Sequence, residues 1–490
     1  MRQIEKSLPL LPLVLDAVPE GLGEMLVQEG VPFCDRAKRP LAGRFVLFDS
    51  RRKTRESSFG QTWIDVAGLG QSTSGEGLNS LADGGAGRHE WRVGGWTLTE
   101  EIARVDRRAV RRRVLGRLRE AIEAAGGVWL CVSPYPFPYR SAFNFRFDHD
   151  EYDARDFAAV MRAIRGYETW TSHFVNAAGH KSAGSAWDAL RGLDVGSHGY
   201  WHHTYRTIED NARNILRGIE AIRRMGIEPR GFAAPHGRFG PALDTALRVL
   251  EISHSGEFGL AYDELPFCPS PGGTLQVPVH PVCLGLFLEA AQRESHDPRS
   301  TLEARRRHAA ATAAEYFEKL ISQRCRAGEP VFLYGHPDGR LGRYPGVLKR
   351  VFRAADSQAG LWKTTQSGWV EWWHARRALN LKVTEDQGQY VVTANDCPAN
   401  LDFAIEYWRG RHVALMPLAG PEVRFSPAAL AYENRRASRL ARPVRIDRPE
   451  GLKTHLRRAI DWERVTPLDE IGTSGWRNRV KRTLRKWVSE

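Results

Sequence analysis

Ala142-Phe143-Asn144-Phe145-Arg146-Phe147 is an apolar run that ends in Asp148-His149-Asp150. The same form recurs three times further along. Leu193-Asp194-Val195 leads into Gly196-Ser197-His198-Gly199-Tyr200-Trp201-His202-His203, Gly231-Phe232-Ala233-Ala234 into Pro235-His236-Gly237-Arg238, and Val331-Phe332-Leu333-Tyr334-Gly335 into His336-Pro337-Asp338-Gly339-Arg340. Short apolar runs read as strands, and helical patterns separate these. Strands alternating with helices imply a mainly parallel sheet. With further candidates at 128–132, 172–176 and 275–279, seven or eight strands fall within about 230 residues, which suits a closed α/β barrel.

In a parallel barrel the strand C-termini converge on one mouth, so ionisable groups just after different strands meet in space. Asp148 and Asp150 with the His-x-x-x-His pair His198 and His202 supply one oxygen and two nitrogens for a divalent ion, leaving positions open for water and substrate. The other acid stays free to take a proton, and His336 across the mouth can protonate a leaving group. Trp201, between the candidate ligands, and His236 and Arg238, after the third strand, are candidate substrate contacts. The plainer reading of Asp148 and Asp150 is that they cap the next helix.

Outward from this core the chain changes character. Residues 1–125 read as an α/β lead-in, with strands at 44–49 and 61–66, a Gly/Ser-rich loop at 68–87, and a capping box at Thr97-Leu98-Thr99-Glu100 opening a long helix to Ala125. The barrel occupies 126–375. Strand patterns at 389–393 and 411–416 mark a small β unit over 376–430, and 431–490 is a basic tail ending in an amphipathic helix from Trp476 to Val488.

From Arg435 onward sixteen Lys and Arg stand against seven Asp and Glu, so the tail carries +9 of the chain's +13. No nucleic-acid module accompanies that charge, and no nucleic acid is expected as a partner. Weak contact of the tail with a membrane surface or polyanion is the alternative to a merely solvated terminus. Six scattered cysteines without a Cys-x-x-Cys pair exclude a zinc ribbon and suggest buried reduced thiols. The N-terminal segment lacks the pattern of a secretory leader, so a cytoplasmic address is expected.

The four strand-end segments resemble, in order, the motifs of the polysaccharide deacetylase family, the NodB-homology domain of carbohydrate esterase family four. That resemblance covers roughly residues 128–350 and implies a distorted (β/α) barrel and a metal-dependent hydrolase that removes acetyl groups from an N-acetylated sugar or glycan precursor. It implies Asp148 as base, Asp150, His198 and His202 as metal ligands and His336 as general acid, with zinc suiting two imidazoles and a carboxylate. The chain departs from the family in four places, one of them Gly199 after the first histidine, where the family more often has a hydroxyl and this chain has Ser197 before it instead. His149 splits the acidic pair, which leaves open which carboxylate is base and which ligand. Ala233 and Ala234 stand where the family has an arginine to orient the base, so that Arg238, or no arginine, serves. His203 adds a second candidate beside His202. Alternatives are a hydrolase of a non-sugar amide or cyclic ureide on the same barrel, and an inactive glycan-binding or scaffold protein.

Overall fold

Every residue of the strand Ser141–His149 is buried, as expected of a strand covered on both faces. In this computed structural model it pairs in parallel with Val331–Gly335, and also with Thr171–Val175 and Leu361–Lys363. Thr171–Val175 pairs in turn with Asp194–Ser197. Parallel bridges then run from Ser197 to Phe232 and from Phe232 to Ser255, and His254–Ser255 pairs with Leu275–Gln276. His280 N donates to Phe332 O at 2.7 Å. The architecture is mixed α/β, with helices such as Ala154–Ala163, Ile208–Arg224 and Leu302–Ala327 between the strands.

The structure describes residues 9–435 apart from 37–42, 53–59, 68, 70–85, 105, 182, 259–262, 270–271, 295–298 and 396–400, and beyond 435 only 444–445, 476, 479–480 and 483–484. The glycine-rich stretch and the basic tail therefore lie largely outside the described residues. Trp476, Val480 and Leu484, on the terminal helix, are exposed. Among the described residues no helix is long and apolar enough to cross a membrane. The five described cysteines are free, and only Cys131 and Cys283 of them are buried.

Three sequence expectations change. The strand at 231–234 shrinks to bridged Phe232, because Gly231 sits at φ 71° with His254 so close that a Cβ would lie 2.4 Å from its ring. The strand at 128–132 forms as Trp129–Val132 but pairs antiparallel with Ala404–Arg409, in a sheet with His412–Pro417 and Glu433–Asn434. Thr97–Glu100 is not a helix start: it lies in Trp96–Ala103, the second arm of a hairpin with Ala86–Val93. Trp96 and Leu98 alternate inward there, and the helix begins only at Arg107, where Asp106 accepts from Ala109 N at 2.9 Å. Near the N-terminus, Phe33–Asp35, Leu13–Asp16, Phe45–Phe48 and Thr62–Asp65 form a parallel sheet in that order, with helix Glu20–Glu29 after its first strand.

Behind the central strand lies a file of buried imidazoles. His149 Nε2 is 3.0 Å from His173 Nδ1, and His173 Nε2 is 3.1 Å from Thr171 Oγ1. Burial pushes His173 down to about 3 and His180 down to about 4. Unfolded, both titrate near 6.5. The unfolded chain thus binds protons that the native state refuses, so the stability is fully present above about pH 6.5 and is lost as pH falls toward 4, by up to about 1.4 kcal/mol per pH unit for each histidine. Urea unfolding at pH 7 and pH 5 should show this loss, with a smaller pH slope in His173→Phe; equal slopes would rule out His173 as a source.

Candidate metal centre

Side chains alternate across a strand, so Arg146, Asp148 and Asp150 share one face of the central strand's end while His149 points to the other. This removes the difficulty of a split acidic pair: His149 is packed against Phe157, His173 and His180, and the two carboxylates line the same cavity. Neither is needed as a cap for the following helix. Asp153 takes that place, accepting from Asp156 N at 2.8 Å.

His198 follows the strand Asp194–Ser197, and His202 follows four residues later. Asp150 Oδ1 lies 3.3 Å from His198 Nε2 and 3.1 Å from His202 Nε2, and the two Nε2 atoms are 3.1 Å apart. His198 Nδ1 donates to Ala233 O at 2.7 Å. Its ring hydrogen is thereby placed on Nδ1, leaving the Nε2 lone pair aimed at the carboxylate and at its neighbour. Lone pairs so close together repel unless a cation lies among them, and the Asp150, His198 and His202 set could hold a metal ion. Burial alone would raise Asp150, but the imidazoles of His336, His198 and His202 hold its carboxyl well below the usual range. Burial would lower His198, yet Asp150 and Asp148 push it up. The site attracts a cation from both sides.

Asp148 is bound differently. Arg146 Nη2 donates to its Oδ2 at 2.8 Å, and both side chains are nearly inaccessible. Arg146 Nη1 donates to Gly256 O at 2.8 Å, and its guanidinium lies 5.7 Å from the Phe174 ring and 5.4 Å from the Tyr334 ring. The arginine absent from 233–234 is thus supplied from two residues before the acid it pairs with, not by Arg238. Asp148 Oδ1 is buried without a protein partner.

His336 closes the set, its Nε2 3.6 Å from Asp150 Oδ2. Arg340 Nη1 donates to His336 Nδ1 at 2.5 Å. Burial pushes His336 down to about 4, with the Arg340 charge adding to it against the pull of Asp150. His236 sits at φ 59°, a left-handed conformation costly for a non-glycine residue, with its ring 4.7 Å from that of His202.

These groups surround a cavity of about 280 Å³ lined by Asp148, Asp150, His198, His202, His236 and His336, together with Thr99, Glu100, Glu289, Tyr334 and Arg340 among others. Trp201 and Arg238 are not among its lining residues. The Trp201 ring packs with Tyr200, Lys181 and Arg217 instead. His203 stacks edge-on to Tyr205 and is not in the ligand cluster. Sequence reading missed Arg146, whose signal was its two-residue spacing from Asp148, and Arg340, four residues after His336. Thr99 and Glu100 come from a distant hairpin and carry no local signal.

The chain's structural neighbours are polysaccharide deacetylases of carbohydrate esterase family four. A candidate polysaccharide deacetylase from Mycobacterium smegmatis matches at 17% identity and TM-score 0.42, covering 52% of this chain and 98% of that one. Another, from Pseudomonas aeruginosa, matches at 14% and 0.40, covering 49% and 94%. A family-four pseudoenzyme from Bacillus anthracis matches at 10% and 0.31, covering 49% and 69%. No family model and no curated protein matches the sequence.

The donor set predicts about one divalent ion per chain in protein purified without added metal. His202→Ala and Asp150→Asn should carry little, by elemental analysis. Wild type as empty as His202→Ala, even after incubation with zinc, would mean that the cluster holds no ion.

Proposed function

We propose that the protein is a metal-dependent deacetylase of an N-acetylated sugar or glycan precursor, working on a distorted (β/α) barrel in the cytoplasm. The observation that carries this reading is the meeting, in one cavity, of a three-ligand set with a second carboxylate that is oriented by a buried arginine and keeps one oxygen free. The resemblance of the four strand-end motifs to the polysaccharide deacetylases supplies the acetamide. The run of parallel bridges from Ser197 through Phe232 to Ser255, and the His280 to Phe332 bond, support the barrel.

A divalent cation held by Asp150, His198 and His202, for which zinc suits the donors, would supply Lewis-acid polarisation of the acetyl carbonyl and a more acidic water. Asp148 Oδ1 receives the proton of the attacking water as its oxygen bonds to the carbonyl carbon. Arg146 fixes that acceptor by occupying Oδ2. The Ala233 carbonyl keeps His198 in the tautomer that presents Nε2. As the carbon–nitrogen bond breaks, His336 donates the hydrogen on Nε2 to the departing amine. Arg340 can only donate, so it holds that hydrogen on Nε2. His336 recovers a proton from Asp148 through solvent, and the net change is amide plus water to amine plus acetate.

The reading as an inactive protein leaned on the missing arginine, and Arg146 weakens it. Acetate release from N-acetylglucosamine oligomers and from nucleotide-linked acetamido sugars tests the proposal directly. Asp148→Asn should keep its metal while turnover falls by at least about 10²-fold. Retained activity in Asp148→Asn, with loss in a still-metallated Asp150→Asn, would exchange the two carboxylates' roles. Metallated wild type that releases no acetate from any acetamido sugar would favour the non-sugar amide reading.

A further inference from the structure

Part of the cavity wall comes from outside the run of parallel strands. Thr99 and Glu100 belong to the hairpin strand Trp96–Ala103, and Glu289 to the helix Leu284–Arg293. The hairpin is firmly attached beside the site. Ala103 N donates to Phe258 O at 3.1 Å, Thr97 N donates to Glu294 Oε1 at 3.3 Å, and the Trp96 ring is buried 5.8 Å from that of His308.

Glu100 Oε1 accepts from Glu101 N at 2.8 Å, and Oε2 has no hydrogen-bond or ion-pair partner among the described residues. Of the four carboxylates lining the cavity, Asp148 is paired with Arg146, Asp150 lies among the imidazoles of His198, His202 and His336, and the exposed Glu289 lies 3.7 Å from Arg293; Glu100 alone of them has no ion-pair partner among the described residues, the lining guanidinium of Arg340 being engaged with His336. A divalent ion on its ligands would add to these pairings and leave Glu100 as the lining carboxylate without a cation of its own. Burial, with the Glu289 charge adding to it, pushes the Glu100 carboxyl up to about 7. Such a group regains its charge when a cationic donor reaches it, and the resulting charge-assisted bond is roughly twice as strong as a neutral one. An anionic ligand meets the opposite response.

We propose that Glu100 recognises a protonated amine on the substrate, so that the cavity takes an amino sugar bearing a free ammonium group beside the acetamido ring, in preference to neutral and above all to anionic saccharides. The acetamido half of this statement rests on the deacetylase reading; the ammonium contact does not. Glu100 is then a specificity-determining residue contributed by the N-terminal region to chemistry performed at the strand ends.

The test compares three disaccharides at pH 7: glucosaminyl-N-acetylglucosamine, N,N′-diacetylchitobiose and glucuronyl-N-acetylglucosamine. In wild type kcat/KM for acetate release should favour the cationic probe over the neutral one by about ten-fold, with the anionic probe poorest, the size expected of one charge-assisted contact. Glu100→Gln should erase most of that ratio, and Glu100→Asp, which keeps the charge, should preserve much of it. Calorimetry of diglucosamine, which has no acetyl group to lose, binding to the protein as purified, with matched unfolding midpoints, reads the same contact without turnover, and Glu100→Gln should weaken binding by about ten-fold. If no probe releases acetate yet that binding difference holds, the deacetylase reading fails and the ammonium site stands. Equal binding of diglucosamine by wild type and Glu100→Gln overturns the proposal whatever the activity.

Discussion

A guanidinium as thoroughly buried as that of Arg146 must find its acceptors inside the fold, and it finds them in Asp148 Oδ2 and the Gly256 carbonyl. Removing one partner of such a pair typically costs about 3–5 kcal/mol, because the other is left as an uncompensated buried charge. The neighbourhood is shaped around that requirement. Phe174 and Tyr334 flank the guanidinium, and a Cβ at position 256 would lie 2.9 Å from Nη1, so only glycine lets the chain pass there. The strand end that carries the two carboxylates is thus pinned to Thr171–Val175 and Val331–Gly335 by one cation as well as by its backbone ladder.

The pinning divides labour between two carboxylates two residues apart. Asp148 has one oxygen saturated by Arg146 and one left open, whereas Asp150 is surrounded by the imidazoles of His198, His202 and His336. A carboxylate neutralised by arginine is a poor place to recruit a metal and a good place to accept a proton in a fixed direction. One ringed by imidazole nitrogens, with the His198 hydrogen committed to Ala233 O, is the reverse. The difference in surroundings, rather than the order along the chain, supports assigning Asp148 as base and Asp150 as ligand.

What the sequence made legible was the placement of short polar motifs after apolar runs, because strand period and parallel pairing together bring such ends to one place. Asp150, His198, His202 and His336 meet for that reason. Elements that depend on distant partners were less readable. Trp129–Val132 has the apolar character of its neighbours, and only its pairing with Ala404–Arg409 sends it to a different sheet. His254–Ser255 is too short to leave a pattern. Thr97–Glu100 satisfies the capping-box spelling by coincidence, since Trp96 and Leu98 turn inward at the two-residue period of a strand. Arg146 was hidden by an assumption about where an orienting arginine must come from. Trp201 sits beside both ligands in sequence, yet the turn between them aims its ring at Lys181 and Arg217.

The hairpin misread as a helix is also what changes the view of the N-terminal region. A helix opening at Thr97 would have carried Glu100 in its first turn as a capping carboxylate. As a strand residue it lies instead on a hairpin arm held by Phe258 and Glu294, where its carboxyl reaches the same cavity as Asp148 and Asp150. Arg146 answers the charge of Asp148 and Arg293 that of the exposed Glu289, whereas the half-buried Glu100 has no ion-pair partner among the described residues, and a protein carries that cost where the charge has something to meet. Arg340 offsets part of it but is turned toward His336, and a bound divalent ion would offset more at the other side. The carboxylate left without an ion-pair partner among the described residues is that of Glu100, and on the proposed reading this makes the N-terminal arm a component of substrate selection rather than a neighbouring unit.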